Sequence, residues 1–408
     1  MPRARYAIPA LVVLGIAALV VAAAIRETGD TDVIAELPPP PDCEPGAKDR
    51  NPENRRIEPR RGEPLLGRED GVMPFGFNDA AYQTGQLGLG QALDLYREAK
   101  ATIWRMPLDW GRVEEDQGTL DFTYYDEIYC AAKEAGVRMD WHVTGIPAWA
   151  APFGVCADPC VRPPQDEHLP ALRRFAEAAA IRYPDAAAFE AWNEPNLKAY
   201  WKDDPDPEAY QPVLEAIYAG VKDGNPDAPV LGGALSNNPN DEPDGDLSLR
   251  TYLGGMLELG AADHMDGLSL HAYPVTGVGE EGDQFNAALR VSRELLPDGV
   301  RIWVTEVGAT TAAGAFVPAV SPEQQAADMA RVYDELAASD DVDAVIYHTL
   351  VDPEGEVPGG TGFGFFSAPD EDGNVVAKPV ACAVLERASS SRAREHEPRG
   401  SAICPPGS

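Results

Sequence analysis

Short runs of apolar and β-branched residues alternate with amphipathic stretches along most of the chain. Eight runs are typical of buried strands, and they lie near residues 73–78, 102–106, 137–143, 187–193, 229–234, 267–272, 300–306 and 343–349. Apolar residues recur at helical spacing near residues 89–100, 123–135, 167–182, 207–222, 248–259, 283–296, 322–338 and 378–388. Eight strands alternating with eight helices predict an α/β fold, a single (β/α)8 TIM barrel over residues 69–390.

The alternative for this alternation is a doubly wound open sheet that binds a dinucleotide. Gly85, Gly88 and Gly90 do not follow a predicted strand, and their order does not fit a dinucleotide-binding loop, so we interpret them as turn residues. Ser321 followed by Pro322 is typical of a helix start, with the serine as N-cap. The barrel therefore remains the favoured fold.

The first 27 residues differ from the rest. Residues 8–25 form an apolar run preceded by Arg3 and Arg5. As a helix this run would be roughly 27 Å long, enough to cross a bilayer core, while the small residues Ala22–Ala24 also suit signal-peptide cleavage. Cleaved signal and membrane anchor stay open, and both predict an extracytoplasmic protein, secreted or anchored. Residues 28–68 are rich in proline and polar residues and predict a disordered linker, and 391–408 predict a C-terminal tail.

Six cysteines in an exported chain indicate disulfide bonds. Cys156 and Cys160 lie in one loop and are expected to form a local bridge; a zinc site that includes His168 would need a further ligand that the spacing does not supply. Cys43 and Cys404 both lie in the tails and could pair with each other. The remaining two, Cys130 and Cys382, fall in predicted helices, where a cysteine can simply be buried.

The net charge of −34 narrows the classes of ligand that the protein is expected to bind. Nucleic-acid binding requires a basic surface, so we expect no nucleic-acid partner. The acidity suits neutral or cationic ligands. The acidic residues near Asp241 do not follow a calcium-loop spacing, so we predict neither a metal site nor a cofactor.

Two of the predicted strands end in a glutamate. The fourth runs into Glu194, which follows Asn193, and the seventh ends at Glu306. Catalytic side chains of a TIM barrel lie at the carboxyl ends of its strands, and a carboxylate there must be paired or solvated. Two carboxyl groups that converge on one sugar perform glycosidic cleavage, one as proton donor and one as nucleophile. A retaining reaction would place them about 5–5.5 Å apart.

The sequence around Glu194 resembles a known group. Trp192-Asn193-Glu194-Pro195-Asn196 is similar to the acid/base signature of the clan A retaining glycoside hydrolases, in particular family 39-, 5- and 42-like, cellulase-like TIM-barrel enzymes. Supporting matches in the same order are Ile103-Trp104-Arg105, Trp110, 118–122, 125–126, 145–149, His271-Ala272-Tyr273-Pro274, 362–366 and 378–379. One departure is the end of the eighth strand, where many clan members carry a tryptophan beneath the sugar and this chain has Tyr347-His348-Thr349-Leu350.

The resemblance and the chemistry together assign expected roles. Glu194 is the expected general acid/base and Glu306 the expected nucleophile, kept ionised by Arg105 and Tyr273. Further candidates for substrate contact or support are Asn193 for the sugar 2-hydroxyl, His271 for orienting Glu306 or the sugar, His142, the stacking residues Trp110, Trp149 and Trp201, and Asn78 and Asn237. For the histidines, tryptophans and last two asparagines, core packing or a turn remains the alternative.

We therefore expect a monomeric glycosidase that acts on β-linked poly- or oligosaccharide by double displacement. The alternative is a catalytically inactive carbohydrate-binding protein of the cell envelope on the same barrel. Retention of both glutamates together with Arg105 and Asn193 favours the enzyme, because a binding module needs no activated nucleophile.

Overall fold

The computed structural model describes residues 41, 43, 64–67, 72–151, 161–243, 245–274, 283–314, 317–355 and 361–390. The chain divides into two compact units, Met1–Pro38 and Pro39–Ser408, and every described residue belongs to the second. Residues 8–25, the predicted signal or anchor, lie outside the described residues. Among the described residues, no helix has both the length and the apolarity that a membrane crossing requires.

Eight parallel strands close into a barrel in chain order, with the first strand paired to the last. The strands are β1 Phe75–Asn78, β2 Ile103–Asp109, β3 Arg138–Thr144, β4 Ala188–Ala191, β5 Val230–Ser236, β6 Gly267–His271, β7 Arg301–Val307 and β8 Val342–Tyr347. The (β/α)8 prediction is confirmed, and the open doubly wound sheet is wrong, because β1 and β8 are hydrogen-bonded to each other.

The main helices follow the strands as predicted. They are α1 Leu89–Ala99, α2 Thr123–Glu134, α3 Leu169–Arg182, α4 Pro207–Gly224, α5 Leu249–Glu258, α6 Gln284–Leu295, α7 Pro322–Ala337 and α8 Pro379–Ser390. The start of α7 has the predicted cap, since the Ser321 hydroxyl accepts a hydrogen bond from the Gln324 amide at 3.2 Å. Two short helices, Trp110–Val113 and Lys198–Trp201, lie in the loops after β2 and β4.

The strands are buried on both faces, which is why they read as nearly continuous apolar runs. At the amino-terminal end of the barrel, Ile103, Leu231 and Trp303 pack in one apolar cluster. Leu66 belongs to this cluster and the Leu65 amide donates to Asp343 at 2.9 Å. Ordered contact with the barrel thus begins before residue 69, because this Leu-Leu pair gives the predicted linker an apolar segment to bury.

The described disulfide differs from the expected pairings. Cys43 is bonded to Cys130 on α2, so the suggested pairing of Cys43 with Cys404 is wrong, and Cys130 is not merely buried. Cys382 on α8 is also disulfide-bonded. The predicted bridge between Cys156 and Cys160 lies outside the described residues. A residue of the predicted linker is therefore fastened covalently to the outer helical layer.

Removing the Cys43–Cys130 bond should destabilise the barrel. The bond closes a loop with a sequence separation of 87 residues, and native disulfides of this kind contribute roughly 2–5 kcal/mol. We expect the double variant Cys43→Ser/Cys130→Ser to lose that much free energy of unfolding in urea.

The single variants provide the matched control. Each single variant breaks the same bond, so their losses in free energy of unfolding should not add. The double variant should therefore be no less stable than the less stable of the two single variants. Unfolding free energies of the double variant equal to those of the unaltered chain would contradict a stabilising bond.

Candidate active site

Glu194 and Glu306 converge at the carboxyl end of the barrel. Glu306 is the penultimate residue of β7, and Glu194 follows β4 by three positions. Glu194, His271 and Glu306 each place one nitrogen or carboxylate oxygen within 4.8 Å of the other two. The two acids thus come from distant parts of the chain and lie side by side at this end of the barrel.

The loop after β4 is held so that the Glu194 carboxyl group lies next to His271 and Glu306. Its backbone amide donates to the carbonyl oxygen of Ala234 on β5 at 3.0 Å, and its φ is +43°. A non-glycine residue in this left-handed region carries a conformational cost. Asn196 compensates nearby, since its side chain bonds the Ser236 backbone amide and carbonyl, both at 3.0 Å. The Asn-Glu-Pro-Asn sequence thus fixes the acid through backbone contacts with β5.

Glu306 accepts three short hydrogen bonds from neighbouring side chains. Arg105 Nη1 donates at 2.6 Å, and the Asn78 amide and the Tyr273 hydroxyl each donate at 2.8 Å. Burial opposes ionisation of Glu306, but the electrostatic attraction of His271 and Arg105 outweighs it and lowers the pKa of Glu306 to about 2. Glu306 is consequently a carboxylate throughout the physiological pH range.

Glu194 has the opposite electrostatic environment. Burial raises the pKa of its carboxyl group above the ordinary value, and the negative charge of Glu306 raises it further. Its described side-chain hydrogen bond is to His271 Nδ1 at 2.9 Å, while the same nitrogen lies 3.6 Å from Glu306. The expectation that His271 orients Glu306 is therefore corrected, because its hydrogen bond is to Glu194, while its contact with the sugar stays a prediction.

Tyr273 and His142 are positioned as neutral groups. Burial and the two glutamates raise the pKa of Tyr273 well above its ordinary value, so its hydroxyl remains a donor to Glu306. Burial, together with Arg105, lowers the pKa of His142 to about 3, so the imidazole is uncharged near neutral pH. His142 lines the cleft at the end of β3, as expected from the sequence.

Arg105 organises several of these groups at once. Its Nη2 donates to Asn193 Oδ1 at 2.8 Å, and its Nε donates to Glu190 Oε1 at 2.7 Å. Glu190 was not among the predicted residues, although it is fully buried in β4. Burial opposes its ionisation, but Arg105 lowers the pKa of Glu190 to about 2. The available signal for Glu190 was a charged residue inside an apolar strand, whereas Glu194 and Glu306 were identified as glutamates at strand ends.

The predicted aromatic stacking residues are wrong. Trp110 is fully buried and donates through its ring nitrogen to Glu114 at 2.6 Å. Trp149 packs edge-on against it and donates to the Glu114 carbonyl oxygen at 2.9 Å. Trp201 is buried against Trp192. All three rings pack in the core or in loops, the alternative that the sequence left open.

Tyrosines and two histidines line the cleft instead. The cleft has a volume of about 450 Å³, within the range of small-molecule sites. It is lined by Asn78, Arg105, Asn193 and Glu306 together with Arg112, Tyr124, Tyr125, Tyr200, His142 and His348. These tyrosines were not predicted as cleft residues, because a tyrosine on a helix or in a loop carries no periodic signal that distinguishes a cleft position from a surface position.

The two asparagine candidates have different positions. Asn78 lies in the cleft, but its amide is committed to Glu306 rather than free for sugar. Asn237 follows β5, and its amide donates to the Tyr273 carbonyl oxygen at 2.8 Å. The expected sugar contact of Asn237 is corrected to a loop contact that holds Tyr273.

His348 occupies the end of β8, where the departure from the resembled clan was noted. Its ring packs edge-on against Phe363 at 5.2 Å and Tyr273 at 6.3 Å between ring centres. Burial lowers the pKa of His348, which makes it an uncharged group beside Glu306. The cleft therefore has an uncharged imidazole among its lining groups at the end of β8.

Glu194, His271 and Glu306 are also close enough to hold a metal ion. Their mutual approach already has another cause, because the Glu194–His271 hydrogen bond and the Arg105, Asn78 and Tyr273 donors account for the positions of the ligand atoms. The arrangement places a carboxyl group with a raised pKa beside a carboxylate with a lowered pKa.

Comparison with solved structures gives the same architecture at low identity. A family 39 glycoside hydrolase from Bacteroides cellulosilyticus WH2 aligns with a TM-score of 0.59 and 22% identity, over 79% of this chain and 65% of that one. GH5_18 from Streptomyces cattleya has a TM-score of 0.56 and 17% identity, over 80% and 82% of the two chains. Xylanase 10B from Thermotoga maritima has a TM-score of 0.55 and 16% identity, over 79% and 96%.

The chain thus spans about two thirds of the length of the first of these structures. Comparison with curated proteins finds no significant match. The family model described as cellulase (glycosyl hydrolase family 5) matches residues 69–347, which is more than half of the chain and includes every strand of the barrel. The clan A resemblance is confirmed, and this protein belongs to the cellulase family, glycosyl hydrolase family 5.

Proposed function

We propose that the protein is a retaining glycosidase that hydrolyses O-glycosidic bonds of poly- or oligosaccharides by double displacement. The observation that carries the proposal is the approach of Glu194 and Glu306, whose carboxylate oxygens lie within 4.8 Å. Retaining enzymes hold their carboxyl groups about 5–5.5 Å apart, whereas inverting enzymes need roughly 6.5–9.5 Å to admit a water molecule. Membership of a glycosyl hydrolase family supports the same reaction class.

The pKa directions support distinct roles for the two acids. Glu306, with its pKa lowered to about 2, is the nucleophile that attacks the anomeric carbon. Glu194, with its pKa raised, holds the proton that the leaving oxygen requires. As the bond between the anomeric carbon and Glu306 forms, the bond to the leaving oxygen breaks and the proton of Glu194 passes to that oxygen.

The second step reverses the role of Glu194. Once Glu306 is esterified its negative charge is gone, so the main charge that raised the pKa of Glu194 after burial is removed. Glu194 then accepts a proton from water, the water oxygen bonds to the anomeric carbon, and the Glu306 carboxylate leaves. Two displacements on opposite faces restore the original anomeric configuration.

The remaining cleft residues support sugar recognition. Asn193 and His142 line the cleft beside Arg105 and are proposed to bind sugar hydroxyl groups. Tyr200 is the aromatic residue proposed to cover the sugar next to Glu194, since its pKa is raised first of all by that carboxylate and it lines the same cleft. We propose β linkages from the family resemblance and a neutral carbohydrate from the net charge of −34.

The cellular location is proposed to be extracytoplasmic, either secreted or held by residues 8–25, with the protein acting as a monomer. The disulfides of Cys43 and Cys382 support this location, because disulfide bonds persist mainly in oxidising compartments.

Stereochemistry and covalent labelling test the nucleophile. We expect the first product released from an aryl β-glycoside to have the β configuration by proton NMR. We also expect an activated 2-deoxy-2-fluoro β-glycoside to add its glycosyl mass to the peptide that contains Glu306, because the fluorine slows the second step more than the first. A panel of gluco-, xylo- and manno-configured reagents covers the sugar identity.

Glu306→Gln is the matched variant for the labelling. It keeps the shape of the side chain and should show neither label nor turnover while unfolding at a similar temperature. A first-formed α product, or a label on another residue, would contradict the assignment.

Leaving-group and pH dependence test the acid. Glu194→Ala should lower kcat/KM about 10²- to 10⁴-fold for a poor leaving group, with a much smaller loss for a dinitrophenyl leaving group that needs no proton. Because Glu194 must be protonated, kcat/KM of the unaltered enzyme should fall as pH rises through the raised pKa of Glu194, and the variant should lack the fall that belongs to this group.

The control for this experiment is Glu258→Ala, which removes an exposed glutamate at the end of α5. Its kinetics should equal those of the unaltered enzyme. Equal losses of Glu194→Ala on both leaving groups would show that Glu194 is not the proton donor.

A further inference from the structure

A second pair of carboxyl groups lies inside the barrel below the catalytic pair. Asp140 on β3 and Glu190 on β4 are both fully buried. The strand register places Asp140 beside Arg105 on one side and beside Ala188, two residues before Glu190, on the other. Strand alternation therefore directs Asp140, Arg105 and Glu190 to the same interior.

The two carboxyl groups differ in their hydrogen-bond partners. Glu190 accepts from Arg105 Nε at 2.7 Å, from Arg105 Nη2 at 3.1 Å and from the Ser269 hydroxyl at 2.9 Å. Neither oxygen of Asp140 has a donor among the described residues, although Arg105 is its neighbour in the strand register. An ionised aspartate in this position would be a buried charge without a donor, which folded proteins avoid.

A protonated Asp140 removes the difficulty. A neutral carboxyl group needs an acceptor rather than a donor, and the Glu190 carboxylate, which faces the same interior and whose charge acts on Asp140, is such an acceptor. We propose that Asp140 stays protonated in the folded enzyme and donates a hydrogen bond to Glu190, and that this pair positions Arg105 for the nucleophile Glu306. Asp140 itself is a positioning residue that does not contact the sugar.

The charge balance gives the proposal its functional consequence. Arg105 carries one positive charge, which it shares between Glu190 and Glu306 through hydrogen bonds of 2.7 and 2.6 Å. If Asp140 were ionised, three carboxylates would compete for one guanidinium, and Glu306 would lose part of its stabilisation. A proton on Asp140 thus reserves the guanidinium for two partners.

The groups that face Asp140 agree with its neutral state. Burial has the largest effect and raises the pKa of Asp140, the negative charge of Glu190 on β4 raises it further, and Arg105 on β2 opposes both. His142, two residues along β3, is uncharged near neutral pH because its pKa is lowered to about 3. The position of the proton does not depend on the proposed function, whereas its kinetic effect does.

Infrared spectroscopy tests the proton directly. Protonated carboxyl groups and carboxylates have separate carbonyl bands, so the difference spectrum between the unaltered protein and Asp140→Asn at neutral pH reports the state of one residue. The comparison is made in a Glu194→Gln background, which removes the other carboxyl group expected to be protonated. We expect the loss of a protonated-carboxyl band. The loss of a carboxylate band instead would overturn the proposal, and this result is independent of any glycosidase activity.

Kinetics test the positioning role with two variants of similar volume. Asp140→Asn keeps an uncharged donor toward Glu190, and Asp140→Leu removes it. We expect the asparagine variant to retain kcat/KM close to that of the unaltered enzyme, and the leucine variant to lose about tenfold or more, the effect that loss of an orienting partner has at metal sites. If Asp140 were instead an ionised acceptor, the asparagine variant should lose as much kcat/KM as the leucine variant.

The pH profile separates positioning from a merely structural role. With a dinitrophenyl leaving group, which does not require Glu194, kcat/KM of the unaltered enzyme should fall at high pH as Asp140 ionises. The asparagine variant cannot ionise, so its profile should stay level to higher pH. Identical profiles in a folded asparagine variant would overturn the kinetic part of the proposal, and a leucine variant that fails to fold leaves the infrared and asparagine results decisive.

Discussion

The site depends on one guanidinium that is held inside the barrel. Arg105 is almost fully buried and is connected to Glu306, Glu190 and Asn193, which come from three segments of the chain. A buried arginine is tolerable only if its charge and its N–H groups are satisfied, and the parallel register places acceptors on both sides of β2. Because these bonds fix the planar guanidinium, they also fix the direction from which Glu306 is held.

From this arrangement follows the different behaviour of two chemically identical side chains. Both glutamates are buried, which by itself favours the protonated form. Glu306 accepts hydrogen bonds from Arg105, Asn78 and Tyr273 and is ionised. Glu194 is hydrogen-bonded to His271, and the negative charge of Glu306 opposes its ionisation. The strand ends determine which environment each acid meets. The proposed chemistry therefore requires no unusual residue, only two positions with unequal access to one positive charge.

The fold and the two principal acids could both be predicted from the sequence, and for one physical reason. Strands buried on both faces are continuous apolar runs, so a glutamate that ends one stands out. This reasoning was applied only to strand ends, which is why Glu190, within β4, was missed.

The partner of Cys43 could not be predicted because α2 is brought beside it only by the barrel. Tryptophans were misassigned because composition does not show whether a ring faces the cleft or the core, and Trp110 faces the core.

Interior polarity gives a further constraint on the barrel. The Ser269 hydroxyl on β6 is hydrogen-bonded to Glu190 and to the Thr305 hydroxyl on β7, so the centre of the barrel beneath the cleft is a hydrogen-bonded layer rather than an apolar one. Such a layer is stable only when every member is satisfied, and replacing one member changes the geometry of the others. The apolar cluster around Trp303 at the opposite end supplies the packing that this layer does not. Stability and chemistry are thus separated along the barrel axis, and a substitution in the polar layer should alter catalysis more than a conservative substitution in the apolar cluster does.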